Sequence, residues 1–167
     1  ITALYAILAF VNLGSTVSPQ TPWVSGGENV SATLDLGETR SFRFLMFPGI
    51  HWPDSEFTVE TSENGEDWFL YPARVQYGDC FAWRTLSQAS RSPDGSVSYF
   101  GIPQELSGRY IRLTAPGTKL TLMEVVAQDL GTGENIPLFP ASPGAEALVD
   151  EQGTLSGPPS WYNSMYF

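Results

Sequence analysis

Apolar and polar residues alternate in short bursts along this chain, and glycine, proline and asparagine separate the bursts. Val30-Ser-Ala-Thr-Leu-Asp35 alternates and runs into Leu36-Gly-Glu38, which reads as a strand entering a turn. Arg40 to Phe47 sets Phe42, Phe44 and Met46 on one face, and Pro48-Gly49 stops it. Glu56 to Ser62 alternates with Phe57, Val59 and Thr61 inward. The turn Glu63-Asn-Gly-Glu66 follows, and its Asn64-Gly65 pair is a hairpin signal that delivers Trp68. Val75 to Trp83 and Val97 to Phe100 are shorter candidates, followed by Arg109 to Thr114 and Leu120 to Val126. About eight strands with turns every 8–12 residues is the pattern of a β-sandwich.

The two ends have a different texture. Residues 1–13 carry no charge, and Thr2 and Asn12 are their polar residues. A helix needs about 20 apolar residues to cross a bilayer, so this run reads as the end of a transmembrane helix. A first strand covered on both faces is equally apolar, and the two readings coexist if a helix ends near Ala9 and a strand starts at Phe10. A signal peptide does not fit, because neither a basic leader nor a small-residue cleavage site flanks the run. An ordered apolar segment needs a surface to bury against, and a homodimer through residues 1–13 is one expectation. Residues 14–130 read as the sandwich. Residues 131–167 read as a Gly/Pro-rich connector lying across it, anchored by Ile136-Pro-Leu-Phe139 and Ala147-Leu-Val149. The closing Pro159 to Phe167 is aromatic and uncharged, suited to a membrane interface or to packing on the domain.

Composition narrows the function. A chain of 167 residues buries roughly 70% of its unfolded surface, sufficient for one core. Eight basic against eighteen acidic residues give a net charge of −10, which repels phosphate backbones and excludes nucleic acid as a partner. The single cysteine, Cys80, has no bridging partner within the chain and reads as a small apolar core residue. The frequent glycine and proline, with 13% aromatic residues, favour an all-β fold over long helices. One His and one Cys are too few ligands for zinc. No Asp-x-Asp-x-Asp loop supports calcium near Asp94-Gly95 or Glu63 to Asp67, so neither metal nor cofactor is expected.

The order of phrases carries a resemblance. Asn12-Leu-Gly-Ser15, Leu34-Asp-Leu-Gly37, Val59 to Trp68, Phe81-Ala-Trp83 and Gly108-Arg-Tyr-Ile-Arg-Leu113 follow one another as in the discoidin or coagulation-factor type C family. The resemblance spans about residues 10–127 and implies a galactose-binding-like jelly-roll β-sandwich, with an irregular C-terminal connector beyond it; a fold of that kind serves many functions. The flanks, Tyr5 to Ser15 with Pro19 to Trp23, and Leu148 to Gln152 with Pro159 to Phe167, resemble the extracytoplasmic insert of bacterial relatives of the dolichyl-phosphate-mannose protein mannosyltransferases. Those are membrane-embedded glycosyltransferases with polyprenyl-phosphate sugar donors. The resemblance implies a parent at the extracytoplasmic face of a bacterial cell membrane, with this piece positioning an acceptor or covering the active site. The family's catalytic Asp-Glu element is expected to follow about where Phe167 closes this sequence, so no catalytic residue is carried over, and Asp150-Glu151, ahead of the aromatic phrase, reads as connector.

No catalytic residue is therefore assigned. The one histidine, His51, sits with Trp52 and Asp54 in the loop phrase Gly49-Ile-His-Trp-Pro-Asp54, where a lone His is a surface residue more often than a base. The alternative function is carbohydrate binding, in which loop aromatics stack on pyranose faces and nearby polar groups read hydroxyls. Trp23, Trp52 and Tyr71, each flanked by proline on one side, are the candidate rings, with His51 and Asp54 as polar neighbours. Trp68, Phe81 and Trp83 are expected to face the core. Exposure of Trp23, Trp52 and Tyr71 on one rim would favour glycan binding, and their burial the structural role.

Overall fold

In its computed structural model the chain is described over residues 19, 21–25, 30–48, 58–71, 73–74, 83–91, 97–115 and 121–150. The alternating stretch of the sequence with the most partners is β2 (Val30–Pro48). It pairs antiparallel with β9 (Glu105–Ala115) along one edge and with β10 (Thr121–Asp129) along the other. Beyond β9 lie β3 (Thr58–Ser62) and β4 (Phe69–Tyr71), and beyond β10 lies β1 (Trp23–Val24), so the order is β1-β10-β2-β9-β3-β4. Short strands β6 (Arg84–Thr85), β11 (Asn135–Ile136) and β12 (Phe139–Pro140) add to β2 and β10. A second sheet runs β5-β7-β8, from Ala73–Arg74, Ser87–Arg91 and Val97–Pro103. All these pairings are antiparallel, and the one helical element among the described residues is a 3-10 turn at Ala145–Leu148. The fold is the all-β sandwich class expected.

The alternation of β2 builds the core. Leu34, Phe42, Phe44 and Met46 are fully buried against Ile111 and Leu113 of β9 and Leu122, Val125 and Ala127 of β10. Each such side chain contributes about 1.5–3 kcal/mol on leaving water. Near its C-terminal end β2 is covered on both faces, since Leu45 and Phe47 are buried too, opposite Val126 and Glu124. That double burial is why Phe44-Leu-Met-Phe47 is continuously apolar.

One expectation changes form at Leu36-Gly-Glu38. The residues do not end a strand; they bulge out of one that continues. Asp35 pairs with Tyr110, and the next pair is Arg40 with Gly108, so four residues of β2 face one of β9. Gly37 takes a left-handed φ of 81°, and its amide donates to Asp35 Oδ1 at 2.7 Å, closing a local turn inside the strand. Opposite the bulge β9 shifts its own parity: Leu106 and Gly108 point inward, then Arg109 and Tyr110 both lie outside, and burial resumes at Ile111.

Within the connector, Ile136, Leu138, Ala145 and Leu148 are buried in the same core. The amide of Ala141 donates to the carbonyl of Thr33, and the Thr33 amide donates to Ser142 Oγ. Residues 131–150 thus lie against β2 and β10, and the clusters around Ile136 and Leu148 hold them there. Residues 1–13 and the aromatic close at 159–167 lie outside the described residues, as do Cys80 and Phe81. Among the described residues no helix is long and apolar enough to cross a membrane.

Candidate aromatic site at the sheet edge

The hairpin between β3 and β4 is held by side chains of its own turn. Asn64 Oδ1 accepts from Ser62 Oγ at 3.1 Å and from the amides of Glu66 and Asp67 at 2.9 Å. Asn64 Nδ2 donates to Asp67 Oδ2 at 3.0 Å, and the Gly65 amide donates to Ser62 Oγ at 2.9 Å. Gly65 has a φ of 80° and seats against the Tyr110 ring, where a side chain in that conformation would be strained. So fixed, the turn sets the register Val59 with Tyr71, Glu60 with Leu70 and Thr61 with Phe69.

That register sorts β4 by face. Tyr71 shares the side of Val59 and packs against the core, while its hydroxyl accepts from the Ser107 amide at 3.2 Å. Thr61 Oγ1 donates to the Ser107 carbonyl at 2.6 Å. Ser107 lies where β9 has run past the end of β3, so these two side chains replace the missing strand. Phe69 meets Tyr71 edge to face, with centroids 4.8 Å apart and rings at 74°, yet it is 63% exposed. The pair forms an aromatic rim on the edge strand.

On the outer face Leu70 is 53% exposed and Trp68 half-buried. Arg112 lies over the Trp68 ring, 4.0 Å from its centroid. It also forks onto Glu60, with Nε to Oε2 at 2.8 Å and Nη2 to Oε1 at 2.9 Å. A parallel pair joins Arg109 to Asp35, with Nε to Oδ1 at 2.9 Å and Nη2 to Oδ2 at 2.8 Å. Arg109 also lies 4.9 Å from the Tyr110 centroid. The guanidinium hydrogen bonds, followed by the Gly37 amide, hold the Asp35 carboxyl below the ordinary carboxylate range, and Asp35 in turn raises Arg109.

The sequence candidates separate in space. Trp23 is 6% exposed, opposite Leu122 in β1, and its ring is part of the core. Tyr71 belongs to the far edge of the sheet, so these two rings share no rim. His51, Trp52 and Asp54 lie outside the described residues. Trp83 is half-buried and packs edge to face on Phe47, with centroids 5.5 Å apart. Trp68, expected in the core, is on the outer face. Its place follows from the length of the turn: Thr61 pairs with Phe69, so residues 63–67 form the loop and Trp68 falls on the face of Glu60, whereas a two-residue Asn64-Gly65 turn would set Trp68 opposite the inward Thr61. Phe69 and Leu70 gave no sign of exposure, because three apolar residues in a row resemble a buried strand. The described residues include neither His nor Cys, and no three of their carboxylates gather where an ion would be held.

These features define a class, an antiparallel β-sandwich domain whose exposed chemistry is aromatic rings beside forked Arg–carboxylate pairs. Among solved structures, the chain is similar to a pectin binding carbohydrate binding module, at 13% identity and a TM-score of 0.41, over 71% of this chain and 81% of that one. It is also similar to CBM32-3 from a family 31 glycoside hydrolase of Clostridium perfringens, at 16% identity and a TM-score of 0.40, over 67% and 77%. No family model and no curated protein matches the chain.

Proposed function

We propose that this chain is a non-catalytic carbohydrate-recognition module. The observation that carries the reading is the Phe69–Tyr71 rim, an exposed ring braced edge to face by a second ring whose hydroxyl is tied to the Ser107 amide. A pyranose presents an apolar C–H face and a polar perimeter, and a rigid ring takes the first while polar groups at its border take the second. An unbraced phenylalanine would lose rotamer freedom on binding; one already packed on Tyr71 loses less. The 167-residue chain is expected to be retained on immobilised neutral polysaccharides, and Phe69→Ala to weaken retention about tenfold or more while leaving the thermal unfolding midpoint unchanged. Absence of retention across a panel of plant, fungal and bacterial glycans would sink the reading.

Its setting is proposed as the extracytoplasmic loop of a polyprenyl-phosphate-dependent, mannosyltransferase-like membrane enzyme, presenting the acceptor or covering the active site. The flanking phrases Tyr5 to Trp23 and Leu148 to Phe167 support that setting by resemblance. A parent sequence without apolar spans beside these phrases would remove it.

A further inference from the structure

We infer that the outer face of β9-β3-β4 holds a second binding site, a clamp for the vicinal diol of a neutral sugar, built from Glu60, Arg112, Trp68 and Leu70. The inference rests on the module reading above and concerns a surface separate from the Phe69–Tyr71 rim. In register, Leu70, Glu60, Arg112 and Thr33 form one row across four strands. Neighbouring strands are about 4.8 Å apart, so these groups lie side by side on a flat surface.

Arg112 uses two of its N–H donors on Glu60 and keeps the others, and each Glu60 oxygen accepts once and retains a further lone pair. The side chains are 29% and 19% exposed, so the forked pair presents part of its surface to solvent from a fixed position. Two adjacent sugar hydroxyls each donate and accept, and a forked pair that offers both is their complement. Trp68 holds the guanidinium flat from one side, and Leu70 supplies apolar contact beside it for the sugar's C–H face. The pair is neutral overall. An anionic sugar would meet the Glu60 carboxylate and a chain of net charge −10, and a cationic one the guanidinium, so the ligand is uncharged.

The test is a proton–nitrogen correlation titration of the 167-residue chain with the common neutral methyl hexopyranosides and their deoxy derivatives that lack the vicinal diol. The indole resonance missing from Trp68→Phe reports this face. It is expected to shift with the diol sugars and to stay still with the deoxy ones. Glu60→Gln is expected to weaken the fitted Kd about tenfold or more, as for loss of a charge-assisted hydrogen bond. Arg112→Lys, which keeps the charge and loses the fork, is the second variant and is expected to weaken it comparably. Retention on neutral glycans with a silent Trp68 resonance overturns the clamp and leaves the module reading standing. Silence at Trp68 together with no retention on any glycan overturns both. A Trp68 response that persists in both variants assigns the pair to the fold alone.

Discussion

Asp35 accepts from Arg109 twice and from the Gly37 amide, all at the one place where β2 leaves its register with β9. Its carboxyl is lowered in the fold from an ordinary 3.8, so the unfolded chain takes up the proton first. The stabilisation is complete above about pH 4 and is lost as pH falls through the lower folded value. Asp35→Asn is expected to lower stability at pH 7 and to flatten its decline below about pH 4, as urea unfolding at stepped pH will show. Gly108, across the bulge, has a φ of 153°, and a Cβ there would sit 2.9 Å from Thr61 Cβ and 3.1 Å from the Ser62 carbonyl oxygen. Gly108→Ala is expected to cost about 2–4 kcal/mol by denaturant unfolding, combining strain and overpacking. The Asp-Leu-Gly and Gly-Arg-Tyr phrases stood out in the sequence as separate marks. That they face each other across one bulge depends on long-range pairing, which local pattern does not carry.

Among the elements, alternation located β2, β3, β9 and β10 well, since each turns one face to the core over much of its length. β7 escaped notice because Ser87-Gln-Ala-Ser-Arg91 has no apolar alternation to show. The connector read as irregular from its glycines and prolines, yet β11 and β12 form within it wherever an edge of β10 or β2 is open to pairing. Its anchors were legible as apolar clusters, and the structure ranks them. Leu148 is fully buried and Phe139 is 56% exposed. Leu148→Ala is expected to destabilise by about 2–5 kcal/mol, and Phe139→Ser to stay within about 0.5 kcal/mol, in thermal or urea unfolding. Equal effects would show that residues 131–150 do not share the core's cooperative unit. The aromatic rim at Phe69 and Tyr71 was half visible: Tyr71 drew attention by its proline neighbour, whereas Phe69 became a surface ring through its edge position.

For the whole molecule, net charge and site chemistry point the same way. At −10 the chain repels polyanions over about 8–10 Å at moderate salt, while stacking and neutral hydrogen bonding are little screened. Retention on a neutral polysaccharide is therefore expected to hold nearly constant as sodium chloride rises from about 50 to 500 mM, and polyuronate to retain nothing at the lower salt. A steep salt dependence would assign recognition to charge instead. In β2, Val30 meets Ala115 and Phe42 meets Asp129, so the strand richest in core residues waits for partners made much later. While the polypeptide is being synthesised, Leu34, Phe42, Phe44 and Met46 stay uncovered until β9 and β10, about 60 to 90 residues further on, have been made. Folding therefore belongs to the slow class of β-rich domains, and a holding chaperone has a long window in which to act on residues 30–48.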